Sequence, residues 1–449
     1  MSDRIMIAGT GSGCGKTSVV CGLIDALCKM KRQVVSFKCG PDYVDPIFHK
    51  SVMGINCYNL DVFLSGENGV RSLLSGKSDG FDIAVIEGVM GFYDGVMSDN
   101  FKGSSFHISN LTDTNVILVV NCKGKSASVV AEIKGYMELS PNNIKGVILN
   151  QATSGTFDYY KNIIEKYLNV KVLGYLPYNV EFLLSERKLG LRIEESDLVR
   201  EKIGLLGDTV LQTVDMEEVI QIAQNSSTLS KTVSIDFRNR NVKIAVADDE
   251  AFTFYYSYNR ELMKDMGAEI VLFSPLNDDK LPSDVSGLII GSGFVTDYVA
   301  RLSQNKSLLW DIKEKLLSGM PTIVEGAGNI LLCGEYVDGE RNSFEFSGIV
   351  NGTLKQTDRP PHFGYHYISA NRDNLICGKE QVLPVHEFIY IDEENVGDGF
   401  FAYKPSRNAK RQCIHSTPSL YAGMPYIYFC GNEFVLENFL DKCEEYKKG

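Results

Sequence analysis

A glycine-rich loop between an apolar strand and an amphipathic helix constrains this chain more than any other feature. The segment MIAGTGSGCGKTSVV places the loop after Ile5–Ala8 and before a helix that begins near Lys16. Backbone N–H groups of such a loop, together with the helix dipole, bind polyphosphate. Lys16 is expected to contact the terminal phosphates, and the Thr17 hydroxyl is expected to ligate Mg²⁺. The expected nucleotide-binding residues are Gly11, Ser12, Gly13, Cys14, Gly15, Lys16, Thr17 and Ser18.

The loop departs from the strict phosphate-binding pattern in one place. Thr10 stands where that pattern has glycine, and Gly9 is displaced by one position. A dinucleotide fingerprint is excluded, because the third glycine of G-x-G-x-x-G falls on Cys14 or Lys16. The strand–loop–helix context favours nucleotide binding over the alternative of an ordinary glycine turn.

Strand-like and helix-like segments alternate along the whole chain. Apolar β-branched runs such as QVVSFKCG, DIAVIEG and NVILVVN are separated by amphipathic stretches, and a second series starts at VKIAVADDEAF. This order indicates βαβ units and parallel sheets covered on both faces. We therefore predict an α/β protein of two domains, residues 1–195 and 242–449, joined by a linker over residues 196–241 whose most polar part is 222–241.

The composition excludes several classes of protein. The 449 residues carry a net charge of −12, which argues against non-specific nucleic-acid binding. No apolar run approaches the roughly 18 residues that span a membrane, and we expect a cytoplasmic protein. The 11 cysteines lack a C-x-x-C pair, so we expect them to be reduced and buried.

Two acidic residues follow the buried strand DIAVIEG. Glu87 ends the strand, and the carboxyl ends of parallel strands face the crevice where phosphates bind. Glu87 is therefore expected to hold Mg²⁺, the alternative being a carboxylate at a helix N-terminus. Asp94 follows in the next loop, where a functional acid and a solvated one are equally good interpretations.

The segment SFKCGPDYVDPIFH concentrates polar groups after the second strand. Lys38 is expected to neutralise phosphate charge, and Asp42 or Asp45 to complete the Mg²⁺ shell. Loops carry function on rigid α/β scaffolds, although each acid alone could belong to a solvated turn. His49 is as readily a structural hydrogen-bonding group.

These segments together resemble the cobyrinic acid a,c-diamide synthase family, whose ATPase half is similar to dethiobiotin synthetase. The resemblance runs through AGTGSGCGKTSV, FKCGPDYVDPIFH, NLDVFL, VIEGVMGFYDG and DEAFTFYYSYN, and covers nearly the whole chain. It implies ATP and Mg²⁺ as cofactors, and a tetrapyrrole-like polycarboxylate as substrate. It further implies that Asn150 reads adenine, that Lys16, Lys38 and Asp45 are catalytic, and that the substrate contacts Asp42, Tyr43, His49 and Asp94.

The same resemblance implies a class I glutaminase-like second domain, and there this chain departs from the family. Relatives have Glu-Cys-Gly-Gly-Leu after a strand, whereas this chain has Glu325, Gly326, Ala327, Gly328 and Asn329. The nucleophilic cysteine is thus replaced by Gly326.

The other catalytic features of the glutaminase are altered as well. Tyr426 and Tyr428 stand where relatives have histidines, and neutral tyrosine, with a reference pKa of about 10, is a poor proton shuttle. The upstream oxyanion turn is reduced to Gly291-Ser292-Gly293. Cys333 lies about two helical turns past the strand end, too far to substitute. We predict an inactive glutaminase.

Three functions remain open on the sequence. The first is an amide synthetase that uses free ammonia or ammonia from a separate glutaminase. The second keeps carboxylate activation with a different acid or amine. The third is a non-catalytic nucleotide switch, disfavoured because Gly11 stands where such ATPases carry a signature lysine. The large second domain is also a candidate surface for a homodimer.

Overall fold

Two compact units, Met1–Val233 and Ser234–Gly449, make up the chain. A computed structural model describes residues 2–96, 100–179, 182, 186–187, 190–191, 196–227, 229, 237–407 and 409–449. Each unit contains a mainly parallel sheet with helices, which confirms the predicted α/β class. No helix in these ranges is long and apolar enough to cross a membrane.

The first unit is built on seven parallel strands in the order β3-β2-β4-β1-β5-β6-β7. These strands are β1 (Asp3–Gly9), β2 (Val34–Cys39), β3 (Cys57–Leu60), β4 (Ile83–Glu87), β5 (Val116–Asn121), β6 (Ile144–Asn150) and β7 (Lys171–Leu176). The helices are α1 (Lys16–Lys29), α2 (Val44–Met53), α3 (Val62–Ser78), α4 (Ser105–Leu111), α5 (Ser128–Glu138), α6 (Ser154–Tyr167), α7 (Ser196–Thr213) and α8 (Met216–Gln224). The short strands β8 (Glu186–Arg187) and β9 (Gly190–Leu191) pair with each other.

The central strands of this sheet are buried on both faces. Every residue of β2 and β4 is buried, as expected for strands covered by helices on either side. Helix α1 buries Val19, Leu23 and Leu27 against the sheet at helical spacing. Because β1 lies in the middle of the sheet, the loop that follows it opens at the carboxyl edge between neighbouring strands.

The predicted linker differs from the structure. Residues 196–224 form α7 and α8, which belong to the first unit, and the division between the units lies at Val233/Ser234. Leu206 and Val210 of α7 pack into the same core as α1, and a Cβ at Gly22 would lie 2.8 Å from Val210. The polar composition of this segment reflects one exposed face of each helix, which a composition argument cannot distinguish from a linker.

The second unit contains a six-stranded sheet in the order β11-β10-β12-β13-β23-β22, and only β22 is antiparallel to its neighbour. Its larger sheet uses β10 (Val242–Ala247), β11 (Ala268–Phe273), β12 (Gly287–Ile290), β13 (Thr322–Glu325), β22 (His415–Ser416) and β23 (Leu420–Gly423). Two smaller sheets use β14 (Cys333–Val337), β15 (Ser343–Glu345), β16 (Val350–Gln356), β17 (Phe363–Ala370), β18 (Val382–Phe388), β19 (Ile391–Glu393), β20 (Phe400–Tyr403) and β21 (Lys410–Cys413). The helices are α9 (Ser257–Asp265), α10 (Val299–Gln304), α11 (Lys306–Leu317) and α12 (Glu433–Lys448).

The core of the second unit lies on both faces of the larger sheet. One apolar cluster includes Leu288, Ile290 and Val324, and the other includes Ile289 and Ile323. Neighbouring residues of β12 and β13 thus alternate between the two clusters, as the period of a strand requires. The turn after β13, which begins at Gly326, is enclosed by this core.

Candidate functional site

The phosphate-binding loop joins β1 to α1 as predicted. Gly13 and Gly15 have φ values of 72° and 98°, a conformation that favours glycine. The Lys16 ammonium donates hydrogen bonds to the carbonyl oxygens of Gly11 (2.8 Å) and Met90 (2.6 Å). Lys16 is buried, and burial lowers its pKa. A phosphate oxygen can replace these carbonyl oxygens without leaving the ammonium unpaired.

A buried ionic cluster lies beside the loop at the carboxyl ends of β2 and β4. Glu87 Oε1 accepts hydrogen bonds from Thr17 Oγ1 (2.7 Å) and Lys38 Nζ (2.9 Å). Glu87 Oε2 is buried without a hydrogen-bond partner among the described residues. The structure therefore brings together Thr17, Lys38 and Glu87, which the sequence placed up to 70 residues apart.

Lys38 is enclosed by carboxylates rather than open to a phosphate. Its ammonium pairs with Asp45 (2.5 Å) as well as with Glu87. Burial alone would lower the pKa of Lys38, but the charges of Asp45 and Glu87 raise it well above its ordinary value. Contact between Lys38 and a transferring phosphoryl group would require this cation to leave at least one of its carboxylates.

The pKa values of Asp42 and Asp45 are shifted in opposite directions. Burial and the neighbouring charge of Asp45 raise the pKa of Asp42 to about 8. Burial would also raise the pKa of Asp45, but the positive charge of Lys38 and its hydrogen bond to Asp45 lower that pKa. Asp42 Oδ1 also accepts a hydrogen bond from the backbone N–H of Val44 (2.9 Å) at the start of α2. Only part of the Asp42 carboxylate is thus available to a metal ion or substrate.

Two of the predicted substrate contacts, His49 and Asp94, have hydrogen-bond partners inside the protein. His49 is fully buried, and its Nδ1 shares a hydrogen bond with Ser36 Oγ (2.9 Å), whereas its Nε2 has no hydrogen-bond partner among the described residues. Its Nε2 lies 3.8 Å from Glu87 Oε2. Asp94 Oδ2 accepts a hydrogen bond from the N–H of Gly91 (2.8 Å), which ties that oxygen into its own turn. Sequence position alone could not reveal these contacts within the protein.

Tyr43 and Asn59 shape the loop that carries the acidic residues. Tyr43 is mostly buried immediately before α2, so it contributes packing as well as any contact with substrate. Asn59 Nδ2 donates to the carbonyl oxygens of Gly40 (2.9 Å) and Asp42 (2.7 Å). Sequence reasoning missed Asn59, although it lies in the family-specific segment NLDVFL.

A cavity beside the phosphate-binding loop continues to the ends of β6 and β7. Its walls include Gly13, Asn150, Gln151, Pro177 and Tyr178. Asn150 thus lies in the wall of this cavity, and its contact with a nucleobase stays a prediction. Lys16, Thr17 and Ser18 also line it, so polar and apolar side chains both contribute to its walls.

The region where Mg²⁺ is expected contains the hydroxyl oxygen of Thr17 and the carboxylate oxygens of Glu87. Among the described residues, no group of three or more His, Cys, Asp or Glu side chains is arranged to hold a metal ion by itself. Mg²⁺ usually binds through one or two protein oxygens, phosphate oxygens and water, so it does not require such a group. The unpartnered Glu87 Oε2 and the nearby Thr17 hydroxyl suit that kind of ligation.

The turn after β13 in the second unit has no room for a nucleophile. Gly326 has a φ of 56°, and a Cβ at this position would lie 2.4 Å from Tyr426 Oη and 2.6 Å from its ring. Tyr426 is 3% exposed. The tyrosine ring therefore fills the space into which a side chain at 326 would project.

The N–H groups that could form an oxyanion site are already bound within the unit. The N–H of Ala327 donates to Ser292 Oγ (3.2 Å), and the N–H of Gly291 donates to Tyr255 Oη (2.9 Å). Ser292 also shares a side-chain hydrogen bond with Tyr426. A developing oxyanion would have to displace both hydroxyl acceptors.

The remaining predicted positions are packed inside the same unit. Tyr428 is fully buried, with its ring centroid 4.7 Å from that of Tyr256. Cys333 is 2% exposed, and burial raises the pKa of its thiol to about 12, so it is not a reactive thiolate at neutral pH. Glu325 Oε1 accepts the N–H of Ile427 (2.8 Å), and burial raises the pKa of Glu325 to about 8.

These features define a protein with a P-loop nucleotide-binding unit and a glutamine-amidotransferase-like unit. The family model of the CobQ/CobB/MinD/ParA nucleotide binding domain matches residues 5–190, and that of the CobB/CobQ-like glutamine amidotransferase domain matches residues 243–380. The chain is 35% identical to cobyrinate a,c-diamide synthases of Caldanaerobacter subterraneus subsp. tengcongensis, Clostridium tetani and Priestia megaterium. These alignments cover 99%, 98% and 99% of this chain and 99%, 99% and 98% of the relatives.

The chain belongs to the cobyrinate a,c-diamide synthase family. This membership confirms the predicted resemblance, the two α/β domain types and the prediction of an ATP-dependent carbon–nitrogen ligase.

Proposed function

We propose that this chain amidates carboxylate groups of cobyrinate or a closely related tetrapyrrole acid, with ATP and Mg²⁺, and takes its ammonia from solution or from a separate glutaminase. The observation that carries the nitrogen-source part is the Tyr426 ring in the space beside Gly326. The relatives' names support the acid, because the similarity extends over nearly the whole chain.

The proposed reaction has two steps. The substrate carboxylate attacks the γ-phosphorus of ATP, the bond to ADP breaks, and an acyl phosphate forms. The lone pair of ammonia then attacks the acyl carbon, inorganic phosphate leaves, and the nitrogen loses one proton. The first step requires positioning and charge neutralisation more than covalent participation of the protein.

In this proposal the phosphate-binding loop and the ionic cluster provide the positioning and the charge neutralisation. Lys16 exchanges its carbonyl partners for phosphate oxygens, and the phosphate-binding loop orients the triphosphate. Thr17 and Glu87 would hold Mg²⁺, which would neutralise phosphate charge. Asp45 keeps Lys38 protonated beside the reacting groups, and in this proposal Asp42, Tyr43 and Asp94 contact the acid substrate.

The second unit supports the use of external ammonia. Glutamine hydrolysis by this domain type requires an activated nucleophile, a base within hydrogen-bond reach and oxyanion donors. Here Gly326 offers no attacking atom, Tyr426 and Tyr428 replace the bases, and the candidate oxyanion donors bind Ser292 and Tyr255. Burial also raises the pKa of Tyr426, which makes it a still weaker proton shuttle.

An isotope experiment tests the acid, the amine and the nitrogen donor together. The purified chain is incubated with cobyrinate, ATP and Mg²⁺, and with either ¹⁵N-ammonium or amide-¹⁵N-glutamine, and the product is examined by mass spectrometry. We expect ¹⁵N in the product only from ammonium, at a rate that rises with pH as the neutral NH₃ fraction increases. Label from glutamine would contradict the nitrogen-source proposal.

Measuring ADP formation beside the amide product, with cobyrinate and ammonium as reactants, distinguishes the remaining alternatives. ADP formation with cobyrinate but no amide product with ammonium would indicate a different amine. No acid-dependent ADP formation would indicate a different acid. A homodimer stays a prediction, which light scattering of the purified chain would check.

A further inference from the structure

Two side chains from outside the phosphate-binding loop bind carbonyl groups at its two ends. Tyr136, on α5, donates its hydroxyl hydrogen to the carbonyl oxygen of Thr10 (2.5 Å). Asn150, at the end of β6, donates from Nδ2 to the carbonyl oxygen of Cys14 (2.9 Å). Both side chains come from distant parts of the sequence, because Tyr136 is 126 residues from Thr10 and Asn150 is 136 residues from Cys14.

The position of a carbonyl group determines the direction of the next N–H group. In a planar trans peptide, the C=O of one residue and the N–H of the next point in opposite directions. Holding the Thr10 and Cys14 oxygens on the outside of the loop therefore directs the N–H groups of Gly11 and Gly15 away from the anchors. These are among the loop N–H groups expected to bind phosphate.

Close packing makes the Asn150 anchor specific. A Cβ at Gly15 would lie 2.0 Å from Asn150 Nδ2, so the amide occupies the space that any side chain at 15 would need. Asn150 is only 7% exposed. Its amide is thus packed against the loop as well as lining the neighbouring cavity.

The Tyr136 anchor is held in place by a second tyrosine. The rings of Tyr136 and Tyr93 stack with centroids 5.8 Å apart and an angle of 26° between their planes. Tyr93 Oη donates to the carbonyl oxygen of Tyr136 (2.7 Å) and accepts from Asn142 Nδ2 (3.1 Å). Tyr136 is not among the residues lining the cavity beside the loop.

We propose that Tyr136 and Asn150 are positioning residues that preorganise the phosphate-binding loop, so that Asn150 serves phosphate binding separately from any contact with the base. This inference rests on the proposed binding of ATP. It predicts that both residues affect a ligand that has the phosphates of ATP but lacks its base.

Affinities for MgATP and for Mg-tripolyphosphate, measured by calorimetry, test this inference. Tyr136→Phe keeps the ring and removes only the hydroxyl, and we expect it to weaken both ligands equally, by roughly 2- to 12-fold, as for loss of one neutral hydrogen bond. Asn150→Ala should weaken tripolyphosphate in the same range. Tyr160→Phe is the matched control, because it removes a hydroxyl that donates to the carbonyl oxygen of Lys125 (2.7 Å), outside residues 10–16, and it should leave tripolyphosphate affinity unchanged.

Wild-type tripolyphosphate affinity in both Tyr136→Phe and Asn150→Ala would overturn the inference. A wild-type enzyme that binds neither ligand would instead overturn the proposed function. Hydrogen exchange of residues 10–16 in the nucleotide-free enzyme then gives the independent measurement. We expect faster exchange there in both variants, with unchanged exchange in β2 and β4, and unaltered exchange at residues 10–16 would count against the anchors.

Discussion

Tyr426 occupies the space that a side chain at Gly326 would need, with its hydroxyl oxygen 2.4 Å from the position of a Cβ there. The two residues are 100 positions apart, and by the family resemblance they stand where relatives carry a cysteine and a histidine. Because the two residues pack together, a side chain at 326 and the ring of Tyr426 would compete for the same space. A cysteine introduced at 326 alone would therefore overlap the Tyr426 ring.

Gly326→Cys should remain unable to hydrolyse glutamine and should also destabilise the second unit. Its Cβ would overlap the Tyr426 ring, and overpacking of this kind costs about 1–3 kcal/mol. Glutamate release and thermal unfolding of the purified variant provide the measurements. The double variant Gly326→Cys/Tyr426→Ala is the control, because a smaller residue at 426 should make the cysteine less destabilising by about 0.5–3 kcal/mol of coupling. Additive effects of the two substitutions would contradict the packing argument.

Lys16→Ala should abolish ATP-dependent amide formation while the first unit stays folded. The substitution removes the cation expected at the terminal phosphates, whereas its present partners are two backbone carbonyl oxygens rather than a buried carboxylate. Product formation and circular dichroism check the two parts. Lys29→Ala, in the last turn of the same helix, is the control and should keep wild-type turnover. Amide formation by the Lys16 variant would remove the loop from the mechanism.

Glu87→Gln should raise the Mg²⁺ concentration needed for half-maximal turnover and lower the maximal rate. It removes the charge that Thr17 and Lys38 contact, and loss of a hydrogen bond to a charged group costs about 1.5–3 kcal/mol. A Mg²⁺ titration at saturating ATP measures the effect. Glu67→Gln, an exposed glutamate on α3, should give the wild-type titration. An unchanged titration for the Glu87 variant would return Glu87 to a purely structural role.

Ionisation of the buried Glu325 carboxyl should remove stability from the second unit as pH rises toward 8. Burial raises the pKa of Glu325 from 4.5 to about 8, so the folded chain retains a proton that the unfolded chain releases. The stability from this group is fully present below about pH 4.5 and is lost as pH rises through 8, with a slope of at most about 1.4 kcal/mol per pH unit. Glu387 and Glu393, with pKa values raised to about 7 and about 8, act in the same direction.

Glu325→Gln isolates the contribution of one carboxyl. The amide oxygen can still accept the N–H of Ile427, but it has no proton to lose. We expect a shallower fall in the unfolding temperature of the second unit between pH 5 and pH 8 than in the wild type. Glu314→Gln, on the exposed face of α11, should leave the pH dependence unaltered. Equal slopes in the wild type and Glu325→Gln would disprove the buried-proton explanation.

Features that depend on neighbouring residues could be predicted from local patterns in the sequence. The strand–loop–helix around Lys16 and the acid at the end of β4 were both recognisable, because phosphate binding needs consecutive backbone groups and parallel strands end at one edge. The loss of the cysteine at 326 was equally visible. The alternation of apolar runs indicated two α/β domains, although it misjudged α7 and α8 as linker.

The tertiary structure alone decided which distant groups meet and which of them are already engaged. It buried His49 behind Glu87, enclosed Lys38 between two carboxylates and brought Tyr136 and Asn150 to opposite ends of one loop. The sequence by itself determined which side chains stand at each of these positions. It did not determine that Tyr426 fills the space beside Gly326. Side-chain periodicity assigns a residue only to a face of a strand or helix. The partner of that residue across the core depends on strand order and on how the elements pack.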